Sequence, residues 1–157
     1  AIQKSMELYQ SKINSAHLID DSVIDNKQIA GLAIDIYNEY VSKGLKVPGF
    51  GHRYHNVDPR AETLMEIAIT DGFIGPHIKL ALALEELLCD KKQIRLNVDG
   101  ANAAILSDLG FDPELGLGVF MIGRMPGIIA HIHEERMDEE EFRRFCDLDD
   151  IVYTRGR

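Results

Sequence analysis

The sequence contains few cysteines, a deficit of basic residues and no long uninterrupted apolar run. Its two cysteines, Cys89 and Cys146, are too few for a secreted domain of 157 residues held together by disulfides, so we expect a reducing, cytoplasmic location. Lysine and arginine number 17 against 26 aspartate and glutamate residues, which gives a formal net charge of −9. Because these basic residues are scattered along the chain, we also expect no nucleic-acid partner.

The longest apolar candidate for a membrane span is residues 116–132. Arg124 and Pro126 interrupt it, so no run reaches the ~18 apolar residues that a span needs, and we expect no membrane partner. The chain begins at Ala1 inside a helical pattern without a targeting segment, and we expect it to be a piece of a longer protein. With 45% hydrophobic residues, the composition is that of a globular domain.

The spacing of the apolar residues predicts an all-α protein. Apolar positions recur at helical intervals over residues 2–13, 27–43, 59–70, 76–89 and 114–136, and a further helix begins near residue 100. Gly44 and Pro76 stand where a helix end and a helix start favour these residues. Residues 94–98 are predicted to be extended, residues 138–144 a charged helix and residues 148–157 an exposed tail.

The segment from Pro48 to Arg53, followed by Asp58-Pro59-Arg60, is the first candidate site. Two glycines flank Phe50, and backbone N–H groups next to glycine can face a phosphate, a carboxylate or an adenine edge without obstruction by a Cβ atom. The alternative is a glycine-rich turn in which His52 has only a structural hydrogen-bonding role.

Asp99 is the second candidate, because it ends an apolar segment and precedes Gly100. Apolar surroundings make a carboxylate a better base near neutral pH, which removal of a proton next to a carbonyl requires. The alternative is that Asp99 caps the helix that begins near Gly100.

Arg124, inside the apolar helix, is the third candidate. A buried arginine needs a carboxylate partner, so we expect either a ligand carboxylate or a protein salt bridge there. His131 and His133 lie two residues apart on the same helix and therefore point in different directions, so we predict no metal site.

Taken in this order, the motifs resemble the C-terminal half of the citrate synthase superfamily, and the resemblance covers essentially the whole chain. Within that superfamily the sequence is most similar to the citryl-CoA lyase branch, which includes the lyase module of ATP citrate lyase. Three segments carry this similarity: Gly51-His52-Arg53, the run at residues 96–100 and the ending at residues 149–153.

The resemblance implies a role for each matching residue. His52 corresponds to the histidine that hydrogen-bonds the oxygen at the carbon where the C–C bond is made or broken, as the acid in condensation and the base in cleavage. Asp99 corresponds to the carboxylate that removes a proton from the acetyl-CoA methyl group or returns it to the enolate. Arg60 and Arg124 correspond to arginines that clamp substrate carboxylates, and Arg53 is a further candidate for that task.

The resemblance also implies a coenzyme A thioester as substrate. The loop formed by Val47, Pro48, Gly49, Phe50 and Gly51 corresponds to the segment whose backbone contacts CoA, and such contact explains its glycines. Other expected partners are an oxo-acid or citrate and further copies of the chain in a homo-oligomer.

Residues 1–109 correspond to the small helical domain of the family, and residues 110–157 to a C-terminal segment of the large domain, whose N-terminal part is absent. Histidines that the family uses upstream are absent as well, so we expect this chain by itself to be inactive. An arginine that citrate synthases typically supply near residues 146–148 is also missing, and Arg155 and Arg157 are only speculative replacements.

The missing arginine favours the lyase direction. The implied function is therefore cleavage of citryl-CoA to acetyl-CoA and oxaloacetate by a retro-Claisen reaction. The alternatives are a citrate or 2-methylcitrate synthase, or a module that binds CoA or citrate without catalysis.

Overall fold

A computed structural model of the chain describes residues 1–16 and 25–138. Within these ranges the chain forms α-helices and no β-strand, and Phe50 and Leu96 form an isolated antiparallel bridge. The all-α prediction is confirmed. The helices are α1 (Ile2–Ser15), α2 (Asn26–Ser42), α3 (Pro59–Thr70), α4 (Pro76–Lys92), α5 (Val98–Asp108) and α6 (Gly116–Asp138), with a 3₁₀ turn at Pro113–Leu115.

The helix ends follow from local chemistry. Asp58 precedes Pro59 and accepts a hydrogen bond from the backbone N–H of Arg60, so it is the N-cap of α3. Gly44 has φ +64° just after α2, as its position predicts. The predicted extended segment at residues 94–98 is only partly right, because Val98 already begins α5.

Helix α5 lies at the centre of the core. It packs against α1, α3 and α4, and α2 packs against α4. Its buried residues are small for the most part, which lets the neighbouring helices approach closely. They are Gly100, Ala101, Ala103, Ala104, Leu106 and Ser107.

The chain divides into two compact units, Ala1–Phe120 and Met121–Arg157. The start of α6 belongs to the first unit, because a Cβ atom on Gly116 would lie 2.5 Å from the sulfur of Met6 and 2.9 Å from Cγ2 of Ile2. The boundary between these compact units lies between Phe120 and Met121. The assignment of residues 1–109 to a small domain stays a prediction.

The described part of the second unit is the rest of α6, and it exposes large apolar side chains. These are Met121, Ile122, Met125, Ile129, Ile132 and Met137. Residues Pro113–Asp138 are long and apolar enough to cross a membrane by length and composition, so the sequence-based exclusion of such a segment was too strict. A helix that packs inside a protein meets the same criterion, and the absence of a membrane partner stays a prediction.

The predictions for the C-terminal residues lie outside the described residues. They concern Cys146, Arg155, Arg157, the charged helix beyond Asp138 and the tail at residues 148–157.

Candidate active site

The loop before His52 is hydrogen-bonded to the segment that leads into α5. The N–H of Gly51 donates to the carbonyl oxygen of Arg95 at 2.8 Å, and the N–H of Asn97 donates to the carbonyl oxygen of Gly49 at 3.1 Å. These contacts join residues far apart in sequence. They bring the first candidate site next to the helix that carries Asp99.

Two glycines in this loop have backbone conformations that other residues rarely adopt, and one of them lies too close to α5 for a Cβ atom. Gly49 and Gly51 have φ angles of +88° and +82°. A Cβ atom on Gly49 would lie 2.7 Å from Cα of Gly100, and one on Gly100 would lie 2.3 Å from the carbonyl oxygen of Gly49. Close packing of the loop on α5 therefore requires Gly49 and Gly100 even without a ligand. This reason is separate from the contact with CoA that the resemblance implies.

His52 is held by local backbone hydrogen bonds. Its Nδ1 atom lies 3.1 Å from the backbone nitrogen of Tyr54 and 3.0 Å from that of His55. Both N–H groups donate, so Nδ1 is the acceptor, and in the neutral ring Nε2 carries the proton. Nδ1 therefore has the structural hydrogen-bonding role that was the alternative interpretation of His52. The Nε2–H group is left for another partner.

Arg60 lies beside this second ring nitrogen. Its Nη2 is 3.2 Å from Nε2 of His52. In the neutral ring with its proton on Nε2, both groups are donors, so they do not satisfy each other. Together they place two nitrogen donors 3.2 Å apart, an arrangement that suits an anionic or carbonyl oxygen.

Asp58 fixes the position of Arg60. This carboxylate is buried, with 1% of the residue exposed. Its Oδ1 accepts from Nε of Arg60 at 2.9 Å and its Oδ2 from Nη2 at 3.0 Å, which is a bidentate pair. Oδ2 also accepts from the backbone N–H of Val98 at 2.9 Å. One side chain thus attaches both Arg60 and the first residue of α5.

Hydrogen bonds and nearby charges determine the protonation of Asp58 and Arg60. Burial alone raises the pKa of Asp58, but hydrogen bonds from the side chain of Arg60 and from the backbone of Val98 and Arg60 outweigh burial and lower that pKa to about 2. The hydrogen bonds with Asp58 raise the pKa of Arg60, and the charge of Asp99 adds to this effect. At neutral pH the site therefore contains a fixed guanidinium charge near Asp99.

Asp99 lies in the first turn of α5 and does not cap it. The cap is Asn97, whose Oδ1 accepts from the backbone N–H of Asp99 at 3.0 Å and of Gly100 at 3.1 Å. The capping alternative for Asp99 is therefore wrong. The half-buried carboxylate of Asp99 is therefore not needed to cap the N-terminus of α5.

An open pocket of about 510 Å³ adjoins the loop. Helix α2 contributes Tyr37 and Tyr40, and α4 contributes Lys92. The Nζ atoms of Lys91 and Lys92 lie 5.7 and 5.5 Å from the ring centroid of Tyr37, within range of a cation–π contact. Aromatic faces and cations together suit a nucleotide with phosphate groups.

The predicted CoA loop lines this pocket only in part. Val47, Phe50 and Gly51 line it, as do His52 and Arg53. Pro48 instead lines a separate surface depression between α1 and α2, and Gly49 is buried against α5.

Arg124 lies in the second unit and is exposed. Its Nη1 is 3.7 Å from the place of a Cβ atom on Gly127, so the absence of a side chain there leaves room for the guanidinium along its own helix. The expectation of a buried arginine is wrong for the described residues, because the helix around it is itself exposed. Its carboxylate-binding role stays a prediction.

No group of three metal-ligating side chains comes together within residues 1–16 and 25–138. Nδ1 of His131 lies 3.3 Å from a carboxylate oxygen of Glu134, one turn along the same helix. This exposed pair is an ordinary helix surface contact, and the absence of a metal stays a prediction.

Sequence reasoning missed several residues of the site. No role was given to Asp58, although an aspartate directly before a proline is typical of a helix N-cap. Asn97 was included only as one residue of the run at residues 96–100. Tyr37 and Tyr40 were placed on the apolar face of α2, whereas they are half-buried and line the pocket. Helical spacing alone does not separate a core tyrosine from one that lines a pocket.

Comparison with known proteins relates this chain to the citrate synthase family. The citryl-CoA lyase of Hydrogenobacter thermophilus is 36% identical, with a TM-score of 0.69 over 99% of this chain and 57% of that chain. The citrate synthase of Haloferax volcanii is 31% identical over 143 residues, which is 87% of this chain and 36% of the relative. The citrate synthase of Corynebacterium glutamicum is 37% identical over 116 residues, or 67% of this chain and 26% of the relative.

The chain therefore spans about a quarter to a little over half of the length of these relatives. The model of the family described as citrate synthase, C-terminal domain, matches residues 11–145. That match includes the loop before His52 and all of α5. On this evidence the chain belongs to the citrate synthase family.

Proposed function

We propose that the protein cleaves citryl-CoA to acetyl-CoA and oxaloacetate. The observation that carries this proposal is the pair of donors formed by His52 Nε2 and Arg60 Nη2, 3.2 Å apart, beside the helix that carries Asp99. Carbon–carbon bond cleavage next to a thioester needs an oxygen that bears negative charge and a carbon that takes up a proton. In this group, His52 and Arg60 stabilise the oxygen, and Asp99 gives the proton to the carbon.

The two donors act on the hydroxyl oxygen of the citryl group. They stabilise its alkoxide, which becomes the ketone of oxaloacetate as the C–C bond breaks. The carboxylate of Asp99 takes the hydroxyl proton as the alkoxide forms. The electrons of the C–C bond pass to the thioester fragment as an enolate, and Asp99 then returns that proton to the methylene carbon of the fragment. With its proton on Nε2, His52 is a donor to the oxygen. The resemblance instead implies a base in this direction.

The pocket beside the loop is the proposed place for the nucleotide end of CoA. Tyr37, Tyr40 and Phe50 offer aromatic faces to an adenine, and Lys92 and Arg53 offer cations to its phosphates. This placement leaves the thioester end of the substrate to approach His52 at the edge of the same pocket.

The experiment supplies citryl-CoA to the protein as its gene encodes it and follows release of oxaloacetate through malate dehydrogenase. Asp99→Asn removes the group that gives the proton, so we expect loss of at least about two orders of magnitude in kcat. Asp71→Asn, an exposed acid at the end of α3, is the matched control and keeps full activity. Equal activity of the two variants contradicts the proposal.

A titration tests the pocket independently of turnover. Lys92→Ala should weaken binding of CoA by about three- to tenfold, since one charge contact to a phosphate is lost. Lys27→Ala at the start of α2, outside the pocket lining, should not change it. Equal affinities in both variants place the nucleotide elsewhere.

Condensation of acetyl-CoA with oxaloacetate is the second candidate function. Relatives named citrate synthase are 31% and 37% identical to this chain, and the Nε2–H tautomer of His52 suits donation to a ketone oxygen. Formation of citrate from these substrates, with no release of oxaloacetate from citryl-CoA, would favour this direction.

Self-association and a cytoplasmic location also stay proposals. The exposed apolar side chains of α6 favour burial against another protein surface, and light scattering of the purified protein tests this. A free, half-buried Cys89 agrees with a reducing location, which fluorescence microscopy of the tagged protein tests.

A further inference from the structure

One side chain joins the loop before His52 to the helix of Asp99. The Nδ2–H of Asn97 donates to the carbonyl oxygen of Gly51 at 2.7 Å. Its Oδ1 accepts from the backbone N–H groups of Asp99 and Gly100 at 3.0 and 3.1 Å. The amide therefore uses its donor toward the loop and its acceptor toward α5.

We propose that Asn97 is a positioning residue that sets the place of His52 relative to Asp99. The inference rests on the proposed function, since it concerns the two residues to which that function gives the proton and oxygen chemistry. Both are attached within two residues of the contacts that Asn97 makes. A shift of about 1 Å between such groups costs roughly a hundredfold in rate.

The chemistry of the contacts selects an amide. The side facing α5 needs an acceptor, and aspartate or serine meets that need as well as asparagine. The side facing Gly51 needs a donor, because it faces a carbonyl oxygen. Serine is too short to bridge both sides, and an ionised aspartate has no donor.

The carbonyl group of Gly51 depends on this anchor, because the backbone contacts that hold the loop on α5 are made by other groups. Gly49 and Gly51 both have positive φ, and glycine has more accessible conformations than any other residue. Gly51 is held through its N–H by Arg95 and through its carbonyl by Asn97. Loss of the second contact releases the peptide that directly precedes His52.

Asn97→Asp separates the positioning role from the capping role. The variant keeps the cap of α5 but places a carboxylate oxygen against the carbonyl of Gly51. We expect kcat at neutral pH to fall at least about tenfold, with helix content and the temperature of unfolding close to wild type. At acid pH a protonated carboxyl again has one donor and one acceptor, so kcat relative to wild type should recover.

Asn102→Asp is the matched control. The amide of Asn102 donates to the carbonyl oxygen of Val98 at 2.8 Å within α5, so the substitution loses the same kind of bond and adds the same charge to the same helix. This hydrogen bond stays within α5 and does not reach the loop. We expect its kcat and its pH profile to match wild type.

Wild-type kcat in Asn97→Asp, equal losses in both variants, or a loss without recovery at acid pH overturns the proposal. If the unmodified protein turns over neither citryl-CoA nor acetyl-CoA with oxaloacetate, the proposed function fails on its own. The positioning is then read from the ¹⁵N chemical shifts of the His52 ring. Asn97→Asp should move them and Asn102→Asp should not, and unchanged shifts in both variants overturn the inference.

Discussion

The first turn of α5 and the exposed part of α6 carry candidate residues in opposite kinds of surroundings. At the start of α5, loop, helix and side chains hold one another through hydrogen bonds of Asp58 and Asn97. In α6, Arg124 is exposed among exposed apolar side chains. A motif in sequence therefore indicates which residue matters, whereas only the surrounding contacts fix where its functional atoms lie.

The two regions also differ in what their glycines do. Gly100 is in contact with the backbone of the loop, whereas an added Cβ on Gly123 in α6 would meet no atom within 4 Å. The same substitution at these positions therefore tests the difference directly.

Gly100→Ala should destabilise the first unit by about 3 kcal/mol or more. The new Cβ would lie 2.3 Å from the carbonyl oxygen of Gly49 and 2.7 Å from Cδ1 of Leu96, and a backbone atom cannot rotate away. Urea unfolding followed by circular dichroism measures the change. A loss below about 1 kcal/mol would mean that the loop yields easily, against the packing described here.

Asp58→Asn should cost about 2 kcal/mol of unfolding free energy. The substitution removes the buried partner of Arg60 and turns a charge-assisted bidentate pair into weaker neutral contacts. Arg60 is half exposed, with 50% of its side chain accessible, so water limits the loss. Urea unfolding at neutral pH measures it, and Asp71→Asn is again the exposed control.

The same carboxylate should make stability depend on acid pH. Its pKa is about 2 in the folded chain against an ordinary value of 3.8, so the folded state binds the proton less readily than the unfolded state. The stabilisation is present above about pH 4 and is lost as pH falls toward 2, by roughly 1–2 kcal/mol after allowance for screening. The unfolding midpoints of wild type and Asp58→Asn, measured across this range, should approach each other as pH falls toward 2.

Gly123→Ala should stabilise α6 slightly, by about 0.5–1 kcal/mol. The position is inside the helix, open space surrounds the added methyl group, and alanine has the higher helix propensity. Thermal melting followed at 222 nm checks this. Destabilisation comparable to that of Gly100→Ala would show that the face of α6 at Gly123 is packed against something in solution.

Tyr9→Phe should have the smallest effect, between no change and a gain of about 1 kcal/mol. The hydroxyl is buried without a hydrogen-bond partner among the described residues, and its removal relieves that cost. Burial, together with the charge of Glu85, raises the pKa of this phenol. Urea unfolding measures the change, and a clear loss of stability would mean that the hydroxyl has a partner in solution.

The sequence predicted most of the helices and several of the site residues. Helical spacing located α1 to α4 closely, because each presents one apolar face to the core. The predicted end of α4 came early, since Lys91 and Lys92 continue the helix to an αL residue at Gln93. Charged residues near a helix end leave no periodic signal.

The geometry of the site was beyond sequence reasoning because it depends on contacts between distant segments. Asp58 reaches Val98 and Asn97 reaches Gly51 across roughly 40 residues of sequence. Arg124 shows the opposite case, since burial was predicted from the apolar helix around it and the helix is exposed. The apolar composition of a helix indicates that its surface favours burial. It does not indicate which other surface covers it.

In the proposed reaction, Asp99 exchanges a proton with the carbon next to the thioester. The most direct measurement is the exchange of the methyl hydrogens of acetyl-CoA into D₂O, followed by ¹H NMR with the protein as its gene encodes it. We expect exchange in the unmodified protein and none in Asp99→Asn, although both bind CoA with equal affinity. Exchange at the same rate in both proteins would contradict the account.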